Sequence, residues 1–365
     1  MNQNGNKTNV PPVWLYALLT TFRNFLKKLY FKMVPPGVAV FEKATSIWMS
    51  KALGVACELN LADMIGDGEM SIDELARKSG TNPVALYRMM RLLAGECVFR
   101  ETGDRVFANT RMSKAMMEGD NSIKQIIMQH VSEVNFDLAN VMEKSVRTGK
   151  NMAFDELGMD VFTYLETHPE KNELYNKAMS NTSQMLGTAL LSAYHFKNIK
   201  TLVDLGGGEG TLLFQILQKY KDMKGIVFDF PHVVKTARET ARRFGVEDRI
   251  QVEEGNFFEK MPPGDAYLLK NVLHIFDDDR SIKLLKNIYK SMPAKGKVLI
   301  VEAVIKSDNK PALGKIIDMQ MLIGTETGRE RTEKEYKALV EAAGFTFRKA
   351  VHTVSPFGII EAIKN

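Results

Sequence analysis

The feature that most limits how this chain can fold is the rhythm that sets in near Ile199, where short apolar runs alternate with amphipathic helical ones. Strands are predicted over 201–205, 225–230, 250–253, 266–273 and 297–304, with helices over 211–220, 233–244 and 280–291 between them. Alternation of this kind builds a parallel sheet covered by helices, because each crossover must carry the chain back to the same end of the sheet. Two last strands, 345–351 and 358–363, lie too close together for a helical crossover and predict an antiparallel edge. The fold class is therefore α/β, a Rossmann-like doubly wound sheet, whose ligands bind at the carboxyl ends of the strands.

At the end of the first strand stands Val203-Asp204-Leu205-Gly206-Gly207-Gly208-Glu209-Gly210. Glycines such as Gly206 and Gly208 let a backbone approach a ligand closely. The dinucleotide fingerprint fits only loosely, since Thr211 falls where its last glycine belongs. Charge weighs more than spacing, because Asp204 and Glu209 flank a loop where a pyrophosphate requires bare N–H groups. A phosphate-free, positively charged ligand is favoured, and S-adenosylmethionine, with its ammonium and sulfonium, fits that description. Asp229 ends the second strand, where a carboxylate takes both ribose hydroxyls or else caps a helix ahead of Pro231. Asn256 and Phe257 follow the third strand, within reach of an adenine by hydrogen bonding and stacking; Phe257 and Phe258 serve equally well as core. Lys270 and His274 close the fourth strand. Of six histidines, His274 alone sits at the mouth of a central strand, a place for a general base or for a satisfied polar side chain.

The first half of the chain is mostly helical. Ser71 followed by Glu74 opens a helix over 72–78, Gly80-Thr81-Asn82 forms a turn, and Pro83 starts a second helix carrying Leu86, Met89, Met90, Leu92 and Leu93. Two strand-like pieces, 98–101 and 105–108, then flank Gly103 and Asp104, completing a winged helix-turn-helix. Its second helix carries only Arg88 and Arg91, and its wing mixes Arg100 and Arg105 with Glu101 and Asp104. Phosphate tracking needs more positive charge, so packing or dimerisation is predicted in place of nucleic-acid binding. The whole chain agrees: 49 Lys and Arg against 44 Asp and Glu leave +5 over 365 residues. Two cysteines, Cys57 and Cys97, exclude a disulfide framework and a zinc ligand set and point to a reducing, cytoplasmic compartment. Residues 13–34 read as a basic amphipathic helix with no signal-peptide pattern. Its apolar face suits docking on the protein or a second subunit, or peripheral contact with an anionic membrane.

Taken in order, Met179-Ser180-Asn181-Thr182-Ser183, the glycine segment, Phe228-Asp229-Phe230-Pro231-His232, residues 269–274, Val301-Glu302 and residues 330–336 resemble a known family. It is that of the S-adenosylmethionine-dependent small-molecule O-methyltransferases, related to plant caffeic acid and acetylserotonin O-methyltransferases and to bacterial polyketide and carotenoid enzymes. The resemblance spans about residues 40–365. It implies that His274 is the general base and that Glu302 and Glu330 hold its imidazole. It further implies that Ser183, Asp204, Gly206, Gly208, Asp229, Asn256, Phe257 and Lys270 surround the cofactor, Lys270 through its backbone carbonyl. Phe162, Met179, Met319 and Met321 fall where the family lines its acceptor pocket. No metal is implied. A homodimer is, with the sequence divided into an N-terminal tail and helix (1–37), a helical winged-helix dimerisation domain (38–115), a helical connector and substrate cap (116–196), broken by glycine only at 148–150, and a catalytic domain (197–365).

Two departures bear on the acceptor. Relatives often carry Asp at the place of Asn256, and Asp and Trp directly after the histidine, where this chain has Ile275 and Phe276. Losing that Asp removes a polar contact, so the expected acceptor is a small molecule with one hydroxyl on an apolar, aromatic or polyene body. The 21 methionines suit such a flat partner or simply fill irregular core. Methylation at carbon or nitrogen on the same scaffold, and a cofactor-sensing DNA-binding regulator, remain open; Asp204 and Glu209 argue against a dehydrogenase.

Overall fold

The computed structural model describes residues 11–119, 122–231 and 233–365, which fall into two compact units. The smaller comprises Phe25–Asp137 and Glu170–Thr182; the larger takes residues up to Asn24, 138–169 and 183–365. Residues 116–196, one connector in the sequence, thus divide between the two. Gly149 ends one helix there in the left-handed conformation, and Gly158 adds a second break of the same kind, which the sequence reading did not include.

In the smaller unit the expected signals act locally. Ser71 accepts from the Glu74 N–H at the start of helix Ile72–Ser79, and Asn82 accepts from Val84 and Ala85 ahead of Pro83 in helix Pro83–Gly95. The wing has a third strand beyond the two expected. Strands β1 (Glu69–Ser71), β2 (Phe99–Gly103) and β3 (Val106–Asn109) form an antiparallel sheet with β3 in the middle. Ile72, Leu75, Met90, Leu93 and Phe107 are fully buried beneath it. At roughly 1.5–3 kcal/mol for each large apolar side chain withdrawn from water, that cluster is what orders the small sheet. Helix Val13–Met33 buries none of its residues, and Trp14, Phe22 and Phe25 are more than half exposed. Among the described residues no helix is long and apolar enough to cross a membrane.

In the larger unit, among the described residues, seven strands form one sheet: β4 (Thr201–Leu205), β5 (Lys224–Asp229), β6 (Ile250–Glu254), β7 (Ala266–Lys270), β8 (Lys297–Glu302), β9 (Thr346–His352) and β10 (Gly358–Ile363). Their order is β6-β5-β4-β7-β8-β10-β9. The first five are parallel, and β10 pairs antiparallel with both β8 and β9. Side chains alternate between two cores. Val203, Leu205, Tyr267, Leu269, Val298 and Ile300 pack on one face, while Leu202, Leu268, Leu299 and Val301 pack on the other. Because the chain enters the sheet at β4 and builds outward both ways, the strand order reverses between β4 and β7, and a crevice opens at the carboxyl ends there.

Several expected elements are shorter than the sequence suggested, two of them most clearly. The fourth strand stops at Lys270, because Asn271 turns to φ 58° and the N–H groups of Val272 and Leu273 leave the ladder for Glu302. A 3₁₀ turn, Leu273–Ile275, follows. The segment expected as a helix from 233 begins as a 3₁₀ turn at Val234–Thr236 and becomes α-helical only over Ala237–Phe244. Helices Leu313–Gly324 and Glu333–Ala342 were not predicted. The second is announced by a capping box between Thr332 and Glu335, a signal the sequence carries plainly.

Candidate active site

The carboxyl end of β4 runs into a loop that needs glycine for two reasons. Gly206 and Gly208 have φ of 69° and 58°, and a Cβ on Gly206 would stand 2.8 Å from the Val272 side chain. Above Gly208 there is open space. The loop is pinned by its own amides: Gly206 N donates to Phe228 O at 2.8 Å, and Gly208 N donates to Asp229 Oδ2 at 2.9 Å. Asp229, at the end of β5, also accepts from Phe230 N at 2.8 Å through Oδ1. Asp229 thus steadies the loop and the start of the segment that follows β5, and it does not cap the 3₁₀ turn Val234–Thr236.

Beneath the loop Asp204 is buried, and burial pushes its carboxyl up to about 7, with Lys270 opposing the shift and Asp229 adding to it. Lys270, between Asp204 and Glu302, is pulled below the ordinary lysine value by burial. Glu209 turns aside to accept from Thr236 Oγ1 at 3.2 Å. Phe257 is buried and packs on Phe228 and Phe230 at centroid distances of 6.3 and 5.7 Å, a core contact. Asn256 is half-buried, and its Oδ1 accepts from Phe258 N at 3.0 Å, so one of its acceptor sites is already used by the local turn. Ser183 is buried on helix Pro169–Ala193.

At the end of β7 the backbone turns and presents His274, which is 7% exposed. Its Nδ1 lies 2.7 Å from Glu330 Oε1 and 3.4 Å from Glu302 Oε2, both carboxylates being buried. Glu302 spends its other oxygen on the turn, accepting from Val272 N and Leu273 N at 3.0 Å each. Glu330 is set by its own N–H, which donates to Asp318 Oδ1 at 2.8 Å. Burial pushes both glutamates up. For Glu302 the imidazole opposes that shift and Glu330 adds to it; for Glu330 Asp318 adds to it and Arg331 opposes it. Burial lowers His274, Glu302 counters it, and Lys270 and Arg331 reinforce it. The imidazole and the two carboxyl groups that face its Nδ1 titrate as a unit.

The carboxyl ends of β4, β5, β7 and β8 thus gather a glycine cradle, buried acidic groups and a carboxylate-held histidine. The sequence profile of the O-methyltransferase domain matches residues 139–346, and that of the O-methyltransferase dimerisation domain matches residues 41–119. The chain belongs to the O-methyltransferase family. It is similar to the phenazine O-methyltransferase PhzM of Lysobacter antibioticus, with 36% identity over 331 residues, covering 90% of this chain and 96% of the relative. It is also similar to caffeic acid 3-O-methyltransferase of Zinnia elegans, with 32% identity covering 84% of this chain and 92% of that one. The crystal structure of human N-acetylserotonin methyltransferase with S-adenosylmethionine matches with a TM-score of 0.84 at 25% identity, over 91% of this chain and 98% of the human one. This O-methyltransferase is accordingly S-adenosylmethionine-dependent, and its fold is the class I methyltransferase sheet with an N-terminal helical dimerisation domain.

Of the methyltransferase residues singled out from sequence, His274, Glu302 and Glu330 meet at one point, and Asp204, Gly206, Gly208 and Asp229 meet at another. Met319 and Met321 are half-buried on helix Leu313–Gly324 and Phe162 is 44% exposed on helix Val161–Thr167; Met179 belongs to the smaller unit. Sequence reasoning missed Asp318, which orients Glu330, and Asn271, whose left-handed backbone turns the chain toward His274. An Asn ending an apolar strand was the signal for the second, since Asn tolerates that conformation best after glycine. Nothing local marked the first.

Proposed function

We propose that His274 is the general base of an O-methyl transfer to the hydroxyl of a small apolar, aromatic or polyene molecule. The observation that carries this reading is the 2.7 Å contact from His274 Nδ1 to the buried Glu330 carboxyl. With Nδ1 committed there, Nε2 is the ring nitrogen with a lone pair to offer. A phenol with a pKa of about 10 is almost wholly protonated at neutral pH, so its proton must leave as its oxygen becomes a nucleophile. That proton passes to Nε2, and Glu302 and Glu330 stabilise the imidazolium. S-adenosylmethionine supplies the methyl group on a sulfonium leaving group.

The residues at the glycine loop fit that cation. Asp204 and Asp229 place two carboxyl groups beside a loop whose Gly208 has open space where a side chain would stand. Ser183, Asn256, Phe257 and the Lys270 carbonyl would complete the cradle. Phe162, Met319 and Met321, all in the larger unit, would form the acceptor side. The relatives named for a phenazine and for caffeic acid support a flat aromatic substrate. A homodimer is supported by the dimerisation domain and by the exposed Phe41 and Trp48 beside the uncovered helix Val13–Met33. Deleting residues 1–34 and finding weakened dimers by ultracentrifugation would support that helix as part of the interface; intact dimers that no longer sediment with anionic vesicles would assign it to membrane contact.

The deciding experiment pairs calorimetric titration of S-adenosylhomocysteine with turnover of phenolic and quinol acceptors by wild type and His274→Ala. The expected loss of turnover is about 10²–10⁴-fold with product-analogue affinity retained. Full turnover in the variant would end the general-base reading, and a methylated carbon or nitrogen in the product would move the acceptor atom.

A further inference from the structure

Among the described residues, Arg331 is the largest side chain wholly withdrawn from solvent. A buried guanidinium destabilises a fold unless its donors are used, so where they go is informative. Nη1 donates to Leu273 O at 2.9 Å and Nη2 to Phe276 O at 2.7 Å, while Nε and Nη2 reach Asp278 Oδ1 at 3.0 and 2.9 Å. Leu273 and Phe276 bracket His274. The segment before Arg331 follows the same turn, with Arg329 N donating to His274 O at 2.9 Å. Gly328 has no room for a side chain there, since a Cβ would come 2.3 Å from that carbonyl. Glu330, between the two arginines, faces the other way and meets the ring. One four-residue stretch therefore holds both the imidazole and the backbone that carries it.

We propose that Arg331 is a positioning residue for the base: its fork fastens the 273–276 turn to the 328–331 segment, so that the His274 ring and the Glu330 carboxyl keep one fixed geometry. This rests on the general-base reading above. The planar fork matters because two carbonyls and a carboxylate are engaged together, which a lysine ammonium cannot reproduce. The partner carboxylate of Asp278 is about half exposed, so the ion pair itself is weakened by solvent and the two backbone bonds are the tighter constraint. A small displacement of a catalytic group costs on the order of a hundredfold in rate.

The test measures kcat, S-adenosylhomocysteine affinity and the pH profile of kcat for wild type, Arg331→Lys, Arg331→Ala, His274→Ala and the His274→Ala/Arg331→Lys double variant. Arg331→Lys is included because it keeps a charge in the site and so guards against outright unfolding of the alanine variant. The groups facing the ring are Glu302, Glu330, Lys270, Arg331 and the Asn271 backbone, and the profile reads all of them together. Expected are a fall in kcat on the order of a hundredfold for Arg331→Lys, affinity within twofold of wild type, a displaced acid limb, and partial recovery of Arg331→Ala by added guanidinium ion. In the His274→Ala background the lysine change should add nothing, because the two residues act as one unit. Wild-type kcat and pH profile in Arg331→Lys, or a parallel loss of cofactor affinity, would overturn the assignment while a dead His274→Ala left the base in place. An active His274→Ala would instead remove the reading beneath it.

Discussion

The glycine loop after β4 and the histidine turn after β7 end neighbouring strands, yet they are built by opposite means. The loop is shaped chiefly by backbone: three of its glycines are left-handed, and its amides reach the Phe228 carbonyl and a single side chain, the Asp229 carboxylate of the adjacent strand. The turn is shaped by side chains that arrive from far along the chain: Glu302 caps its amides, Glu330 takes its ring, and Arg331 takes its carbonyls. The first leaves open space at Gly208; the second buries its histidine and both glutamates. If the proposed function holds, binding and chemistry can be damaged separately.

The largest effect should come from stripping the turn of its acceptor. Glu302→Ala leaves the buried N–H groups of Val272 and Leu273 unpaired, at about 1–3 kcal/mol each, and the melting temperature and turnover should fall together. Glu302→Gln keeps an amide oxygen for both and should melt close to wild type; equal melting of the alanine and wild-type proteins would show that the turn is held by something else. At the loop, Asp229→Ala should weaken S-adenosylhomocysteine binding by roughly tenfold to a hundredfold, with kcat at saturating cofactor changed only a few-fold. A comparable fall in kcat would mean that the two regions are not separable after all.

The smallest effect is in pH dependence, and it has opposite meaning at the two places. Burial lowers His274 from 6.5, and on the general-base reading the acid limb of kcat should lie under pH 6.5. Asp204 is raised from 3.8 to about 7, so the folded apoenzyme binds that proton more tightly than the unfolded chain. Its contribution to stability is complete below the unfolded value and is lost as pH rises toward 7. Asp204→Asn should flatten the fall in melting temperature over that interval without moving the acid limb of kcat. A shift of both by this one substitution would tie loop and turn into a single titrating unit.

This contrast also explains what could be read from the sequence. The glycine run and the aspartate at the end of β5 are local patterns whose meaning survives without a structure, and strand-helix alternation fixes which end of the sheet they occupy. Glu302 and Glu330 came from the family resemblance alone, because nothing near either residue says that two carboxylates will converge on one nitrogen. Asp318 and Arg331 were beyond reach for the same reason, their partners lying in other segments. Strand β7 was drawn too long because Val272 and Leu273 look like strand residues, and only the carboxylate of Glu302 takes their amides away from the ladder.

The position of β10 has a consequence for the order in which the sheet is completed. This strand follows β9 in the sequence, yet it lies between β8 and β9 and pairs with β8 along six residues from Gly358 to Ile363. Until β10 is inserted, β8 keeps one row of amides and carbonyls open, on the same strand whose end carries Glu302. The five parallel strands can pair among themselves without β10, so the edge beside Glu302 is closed by a segment from outside the parallel half of the sheet.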